Sequence, residues 1–278
     1  MNTPISISRG DAVPCGPDTG KPYYSVFLLS GHGRFSVDLT DYEYAGDTVL
    51  FVSPYQHFML ETESGESVWE LRFHGDFYCI EYHKKEVACN GLLFNNIYLT
   101  PHVPVAPEVS AELRSVFLKI ETELKNADEY SDAVVKTYLQ LVLALCSREK
   151  SRRIADAGQH PAAQGEVTDF QRLLEANFMR ERNVAFYAGK FALSPNAFSK
   201  KIKHRFGKTP IRLIQERVIL EAKKLLHLTH KPVKEIAAEL NFEDEFYFSR
   251  YFKKGVGVSP QRYRSDVGIS VVARKSME

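Results

Sequence analysis

Cysteine is scarce in this chain and follows no pattern. Its four copies, Cys15, Cys79, Cys89 and Cys146, form no C-x-x-C pair and match no zinc spacing, so neither a disulfide framework nor a zinc module organises the fold. Cys79 and Cys89 lie near His74 and His83, an arrangement open to a metal or redox sensor. Free cysteine packed as a small hydrophobe is the commoner case, and a reducing compartment suits all four. No apolar run reaches the roughly 18 residues that a membrane-spanning helix needs. The N-terminus carries no basic stretch followed by an apolar one, so no export signal is read there and a cytoplasmic location is expected.

Net charge is also nearly absent, at +1 over 278 residues, but the balance hides a division. Residues 1–165 carry 14 Lys and Arg against 22 Asp and Glu, a net of −8, and residues 166–278 carry 22 against 13, a net of +9. An acidic half joined to a basic half points to a nucleic-acid module fused to something that does not bind nucleic acid. The length suits two domains.

The basic half is built on a repeat. VKEIAAELNF, from Val233, aligns with VAFYAGKFAL, from Val184, at an offset of 49 residues; FSRYFKKGVGVSP, from Phe248, aligns with FSKKIKHRFGKTP, from Phe198, at an offset of 50. Each copy reads as a short apolar-periodic helix, a tight turn and a second helix. In the later copy Asn241 tolerates the left-handed conformation of a helix end, and Asp244 can cap the helix that follows. Ser194 and Pro195 are the corresponding start in the earlier copy. Phe248 and Phe252 face inward, leaving Glu245, Phe246, Ser249, Arg250 and Lys253 outside; Asn196, Ser199, Lys200 and Lys203 are the outward set of the first copy. A helical pair that exposes cations and small polar groups on its second member is the helix-turn-helix that lays one helix in a DNA major groove. The alternative is a helical hairpin with a solvated charged face. Between the copies, Thr209-Pro210 opens a helix from Ile211 to about His227, a stiff spacer suited to readers about one DNA turn apart.

This tandem, closing with Phe242-x-Asp244-x-x-Tyr247-Phe248-Ser249-Arg250-x-Phe252-Lys253-Lys254 and then Gly257-x-Ser259-Pro260-x-x-Tyr263-Arg264, resembles the AraC/XylS family of bacterial transcription regulators over roughly residues 168–265. Asn241 stands where that family usually has glycine, and Gly189 sits inside a helix of the first copy. The resemblance implies an activator that binds double-stranded DNA as a homodimer and works with RNA polymerase. Arg250 is the candidate to bridge guanine O6 and N7, Glu245 to accept from cytosine N4, and Phe246 to meet a thymine methyl. Asn196 and Ser199 are the polar readers of the first copy. Lys201, Lys203, Lys253 and Lys254 are assigned to phosphates. An ion pair of Arg250 with Glu243 or Glu245 is the competing reading.

In the acidic half, residues 1–22 read as an irregular arm rich in proline, glycine and serine. Tyr23–Ser30, Gly33–Leu39, Thr48–Pro54, Phe58–Glu63 and Ser67–Phe73 read as strands of a small antiparallel barrel or jelly roll. Gly46-Asp47-Thr48 through Pro54-Tyr55-Gln56-His57 is similar to the second half of a cupin motif, which implies a sensor domain over 23–104. The expected fold class is thus α+β and multidomain: a cupin-like barrel with a helical dimerisation segment, then an all-α tandem helix-turn-helix. A pocket for a small effector is the functional reading, with His32, Arg34, His57 and Trp69 as candidates to line it; turn histidines and a core tryptophan are the alternative. A cupin-type metal enzyme carrying a DNA-binding tail competes with this, as does a regulator without any effector. With no H-x-H and no following glutamate, no metal, cofactor or catalytic residue is expected. Residues 76–100 extend or wrap the sheet. Two helical stretches fill 105–152, the first striped with Leu113, Val116, Phe117, Ile120 and Leu124, and dimerisation is placed there, with packing inside the chain as the alternative. Residues 153–167 read as a flexible linker, and 266–278 as a tail. Arg172, Arg180 and Arg182 are read as outward groups ahead of the first repeat, facing phosphates or solvent.

Overall fold

The computed structural model describes residues 4–10, 22–38, 40–62, 68–80, 91–157 and 164–269. Cys15, His83 and Cys89 lie outside them. The contacts divide the chain into two units, one built mainly from Met1–Asn96 and Thr100–Arg153, the other mainly from Ile154–Ile269.

The first unit holds strands β1 (Ile5–Gly10), β2 (Tyr23–Leu29), β3 (His32–Val37), β4 (Thr40–Ala45), β5 (Thr48–Val52), β6 (Phe58–Thr62), β7 (Val68–His74) and β8 (His102–Pro104). They pair antiparallel in two sheets, of order β1-β7-β2-β5-β8 and β4-β3-β6. Alternation along the strands sorts side chains into two cores. Phe27, Leu29, Leu50 and Val52 meet Phe35, Val37, Phe58 and Leu60 between the sheets. Val26, Leu28, Val49, Phe51, Leu71 and Phe73 point the other way, toward helices. Burial on both faces is why β2 and β5 read as nearly unbroken apolar runs.

Three strands escaped the sequence reading. Ile5–Gly10 is no irregular arm: it completes an edge beside β7, with Ile5 opposite Phe73 and nearly sealed from water. Strand β4 is polar because it is an edge, its Asp41 and Glu43 facing outward as charges that discourage further pairing. Strand β8 is three residues long and ends at Pro104, which an edge position tolerates. Of the wrapping segment, Phe77, Tyr78, Ile80, Leu93 and Phe94 close over the sheet's outer core.

Helices α1 (Pro107–Lys125) and α2 (Ser131–Ala157) cover that same core. Leu113, Val116, Phe117 and Ile120 of α1 are buried in it together with Val135, Leu139, Val142 and Cys146 of α2. The stripe assigned to dimerisation is therefore consumed inside the unit. A lone amphipathic face does not say which apolar surface it meets, and here the sheet supplied it. Arg114 fastens α1 to the barrel, donating to Ser30 Oγ at 2.5 Å and Asp47 Oδ1 at 3.1 Å. Helix α2 runs on through Ala157, and the next helix begins at Gln164, so the linker expected over 153–167 is helical at both ends. Its described outward residues bury no face, so no apolar period marks them, and alanine is content in a solvated helix.

His102 is wedged edge-on against Phe35 and Tyr42, with ring centroids 5.2 and 5.7 Å away, and its buried Nδ1 finds no partner among the described residues. Burial pushes the imidazole down from 6.5 to about 4, and the nearby Lys150 ammonium adds to the effect. The unfolded chain thus binds a proton that the folded one refuses, and stability falls as pH drops from 6.5 toward 4, by on the order of 1–3 kcal/mol. Urea unfolding at pH 7 and pH 4.5 is expected to show this loss, and His102→Leu to remove most of it.

The second unit is all helix: α3 (Gln164–Asn177), α4 (Val184–Lys190), α5 (Pro195–Phe206), α6 (Pro210–Leu228), α7 (Val233–Glu239), α8 (Glu245–Val256) and α9 (Pro260–Val267). Nineteen residues make α6 a rod of about 28 Å. It packs against α5 and against α7, α8 and α9. Among the described residues no helix is long and apolar enough to cross a membrane.

Candidate nucleic-acid interface

Both helical pairs are built by the same local chemistry. Ser194 Oγ accepts the Ala197 N–H at the start of α5, and Asp244 Oδ1 accepts the Tyr247 N–H at the start of α8. Gly207 and Gly257 end these helices in the left-handed conformation, at φ 68° and 89°. The turns share two bonds: Leu193 donates to Ala188 as Phe242 does to Ala237, and Ala192 to Gly189 as Asn241 does to Ala238. Asn241 takes φ 57°, as its side chain suggested; Ala192 takes φ 53° at the same place, which the sequence did not announce. A β-carbon in that region costs roughly 1–2 kcal/mol. Ala192→Gly is therefore expected to stabilise the chain by about 0.5–1 kcal/mol after the added freedom of the unfolded glycine is counted. Thermal unfolding would show a rise of a few degrees at most.

Helices α5 and α8 turn their aromatic sides inward. Phe198 and Ile202, then Phe248, Phe252 and Val256, are buried. On the outward side of α8, Phe246 is 76 % exposed, Arg250 and Lys253 are exposed, and Glu245 and Ser249 are half-buried. Fifty residues earlier, Asn196, Lys200 and Lys203 are exposed and Ser199 is half-buried, giving the same stripe at i, i+3, i+4 and i+7. Basic groups gather at both helix ends, Lys203, His204 and Arg205 on α5 and Lys253 and Lys254 on α8, where the helix dipole favours them.

The ion pairs separate these cations from their neighbours. Glu216 takes Lys208 and Arg212, each at 2.8 Å; Arg217 holds Glu175 at 2.8 Å and Glu221 at 3.0 Å; Lys231 and Arg262 bind Glu239 and Asp266, each at 2.6 Å. Among the described residues Lys200, Lys203, Arg250 and Lys253 have no carboxylate partner, and the pairing of Arg250 with Glu243 or Glu245 does not form. Two equivalent stripes thus carry cations that no described carboxylate neutralises, and that of α8 adds an exposed phenyl ring.

Arg182 departs from the sequence reading. Arg172 pairs with Asp169 at 3.6 Å and Arg180 is exposed, but the Arg182 guanidinium lies 3.7 Å from the Phe242 ring centre and donates to the Leu240 and Asn241 carbonyls. It is a structural contact reaching 58 residues along the chain.

In the first unit the four effector candidates do not converge. His32 and His57 flank opposite ends of β3, since Val37 pairs with Phe58 and His32 with Ala45, which puts roughly 17 Å of strand between them. Arg34 is 72 % exposed and pairs with Glu43 at 3.3 Å, and Trp69 is buried in the helix-facing core against Phe117. A side chain's facing is set by strand register, which short strands of uncertain ends left open. A small cleft lies elsewhere, between the sheets: Tyr23, Ser25, Phe27, Ser53, Tyr55 and Gln56 line a volume of about 20 Å³ that opens to solvent. Ser25 Oγ donates to Glu70 Oε1 at 3.1 Å, and Arg72 holds the same carboxylate at 2.8 Å, so a polar cluster stands behind one lining residue. Among the described residues no group of three or more His, Cys, Asp and Glu could hold a metal ion.

Residues 187–266 match the sequence profile of a helix-turn-helix domain family. The chain is 26% identical over 211 residues to the HTH-type transcriptional activator RhaR of Enterobacter sp. (strain 638), covering 73% of this chain and 72% of that protein. It is 32% identical over 93 residues to the arabinose operon regulatory protein of Escherichia coli K12, covering 34% of this chain and 30% of that one. Among solved structures, ToxT from Vibrio cholerae O395 aligns over 95% of this chain and 97% of its own at 16% identity, with a TM-score of 0.40.

Proposed function

Because the chain belongs to the AraC/XylS family of transcription regulators, and is a DNA-binding transcription activator, we propose that it reads duplex DNA with α5 and α8 in successive major-groove turns. The reading rests on one observation above all: among the described residues the two outward stripes carry cations without carboxylate partners, whereas Lys208, Arg212, Arg217, Lys231 and Arg262 around them are neutralised. Arg250 and Lys200 are the leading base contacts, with Glu245, Phe246, Ser249, Asn196 and Ser199 beside them. Lys203 and Lys253 hold phosphates and set register. Selection of bound duplexes from a random pool by the full chain is expected to return a site of two short blocks, about one helical turn apart. A single block, or no enrichment, overturns the two-reader arrangement.

A small effector of the first unit would be taken where Tyr23, Ser25 and Tyr55 line the cleft, which must widen from its present volume of about 20 Å³ to admit it. Such a ligand acts by favouring one arrangement of the protein over another. A homodimer, if formed through α1 and α2, uses the outward Leu118 and Leu141, since the buried stripe is occupied. RNA polymerase is the partner that activation requires.

A further inference from the structure

The two readers are tied to the spacer helix α6 separately, and one side chain also ties them to each other. Arg182 belongs to the short link between α3 and α4, and its backbone is anchored to the first reader on both sides. The buried Tyr187 of α4 donates its hydroxyl to the Glu181 carbonyl at 2.8 Å, and Asn183 caps α4 by accepting the Ala185 N–H at 2.9 Å. From that base the Arg182 side chain crosses to the second reader. There it meets the carbonyls of Leu240 and Asn241, just past the end of α7 and beside its negative dipole end. Its flat face covers the ring of Phe242 in the turn, and Phe242 in turn packs on Phe248 and Tyr251 of the recognition helix at 5.1 and 5.2 Å. Consecutive residues therefore hold the start of the first reader's leading helix and the end of the second's.

A lysine in the same place would be a point charge on a flexible stem, without the planar fork that stacks and donates together. Turning the second reader about α6 would break a charge-assisted hydrogen bond and an aromatic stack at once. We propose that Arg182 is a positioning residue that locks the second reader to the first, so that both recognition helices meet one face of the duplex together. This rests on the two-reader DNA binding proposed above. Two linked modules gain affinity only while their geometry lets both engage, so the clamp acts on the joint event and not on either contact alone.

The test compares the full wild-type chain with Arg182→Met, which keeps the apolar stem and removes charge and donors, and with Arg182→Lys. The probes are a duplex selected by the wild-type chain, the same duplex with either block scrambled, and versions with one base pair inserted or removed between the blocks. R182M is expected to bind the intact duplex about tenfold more weakly, to bind each single-block duplex within about twofold of wild type, and to lose discrimination against altered spacing. R182K is expected to fall between, at about threefold; if R182M does not fold, that smaller loss with the same spacing signature carries the proposal. Unchanged affinity for the intact duplex overturns it, as does an equal loss on the single-block duplex of the second reader, which marks local stabilisation only. Failure of the wild-type chain to bind any two-block duplex overturns the DNA reading first and this proposal with it.

Discussion

Phe248→Ala is expected to destabilise the helical unit by about 3–5 kcal/mol, enough to leave it largely unfolded near physiological temperature. Phe248 is fully buried, with Phe242 at 5.1 Å and Phe252 at 6.0 Å, and truncation leaves a cavity that rigid helices on either side cannot close. The control is two residues away. Phe246 is the same residue type on the same helix, yet it stands 76 % exposed, so Phe246→Ala is expected to change stability by no more than about 0.5 kcal/mol. Urea unfolding of the pair separates the two roles, and DNA affinity should order them differently. The Phe246 variant stays folded and binds more weakly at one position, whereas the Phe248 variant loses binding because the helix is no longer presented. Equal stability losses would mean that the inward and outward faces of α8 are wrongly assigned.

The second large effect is on recognition. Arg250→Ala should weaken binding to the selected duplex by on the order of 1–3 kcal/mol and relax specificity at one base pair, since a bidentate arginine distinguishes guanine from the other bases. Arg250 is exposed and, among the described residues, free of any ion pair, so its removal leaves no orphaned carboxylate and stability should hold. Lys203→Ala, on the equivalent stripe of the first reader, is expected to behave differently. It should lower affinity about evenly across sequences and reduce the slope of log affinity against log salt by about 1. Fluorescence anisotropy at three salt concentrations, on the selected duplex and its single-base variants, resolves both. An Arg250→Ala chain that binds as wild type does would remove the base contact from the account of function.

The tandem readers were legible before any coordinates because their signals are local. Caps at Ser194 and Asp244, proline at the first helical turn after Ser194 and aromatic spacing at 248 and 252 all act within a few residues, and each appears in place. Repetition at offsets of 49 and 50 then confirmed the register twice. Ala192 was missed because alanine carries no mark of the left-handed turn it occupies; only alignment with Asn241 could have raised the question. The barrel was legible as a class but not strand by strand. Ile5–Gly10, Thr40–Ala45 and His102–Pro104 are edges, where one face or one row of hydrogen bonds is left to solvent and polar or proline residues blur the alternation.

Distant encounters account for the remainder. Nothing near Arg182 in the chain names Leu240 or Phe242, and an arginine outside a helical stripe looks the same whether it faces a phosphate, water or an aromatic ring. The stripe of α1 likewise states that an apolar surface is wanted without stating whose, and the five-stranded sheet met it. Short-range chemistry settled which helices form and which of their faces stay wet. Which buried face meets which, and where the cleft between the sheets opens, followed from packing between residues dozens of positions apart, because burial energy rewards any apolar partner of suitable shape and carries no sequence address.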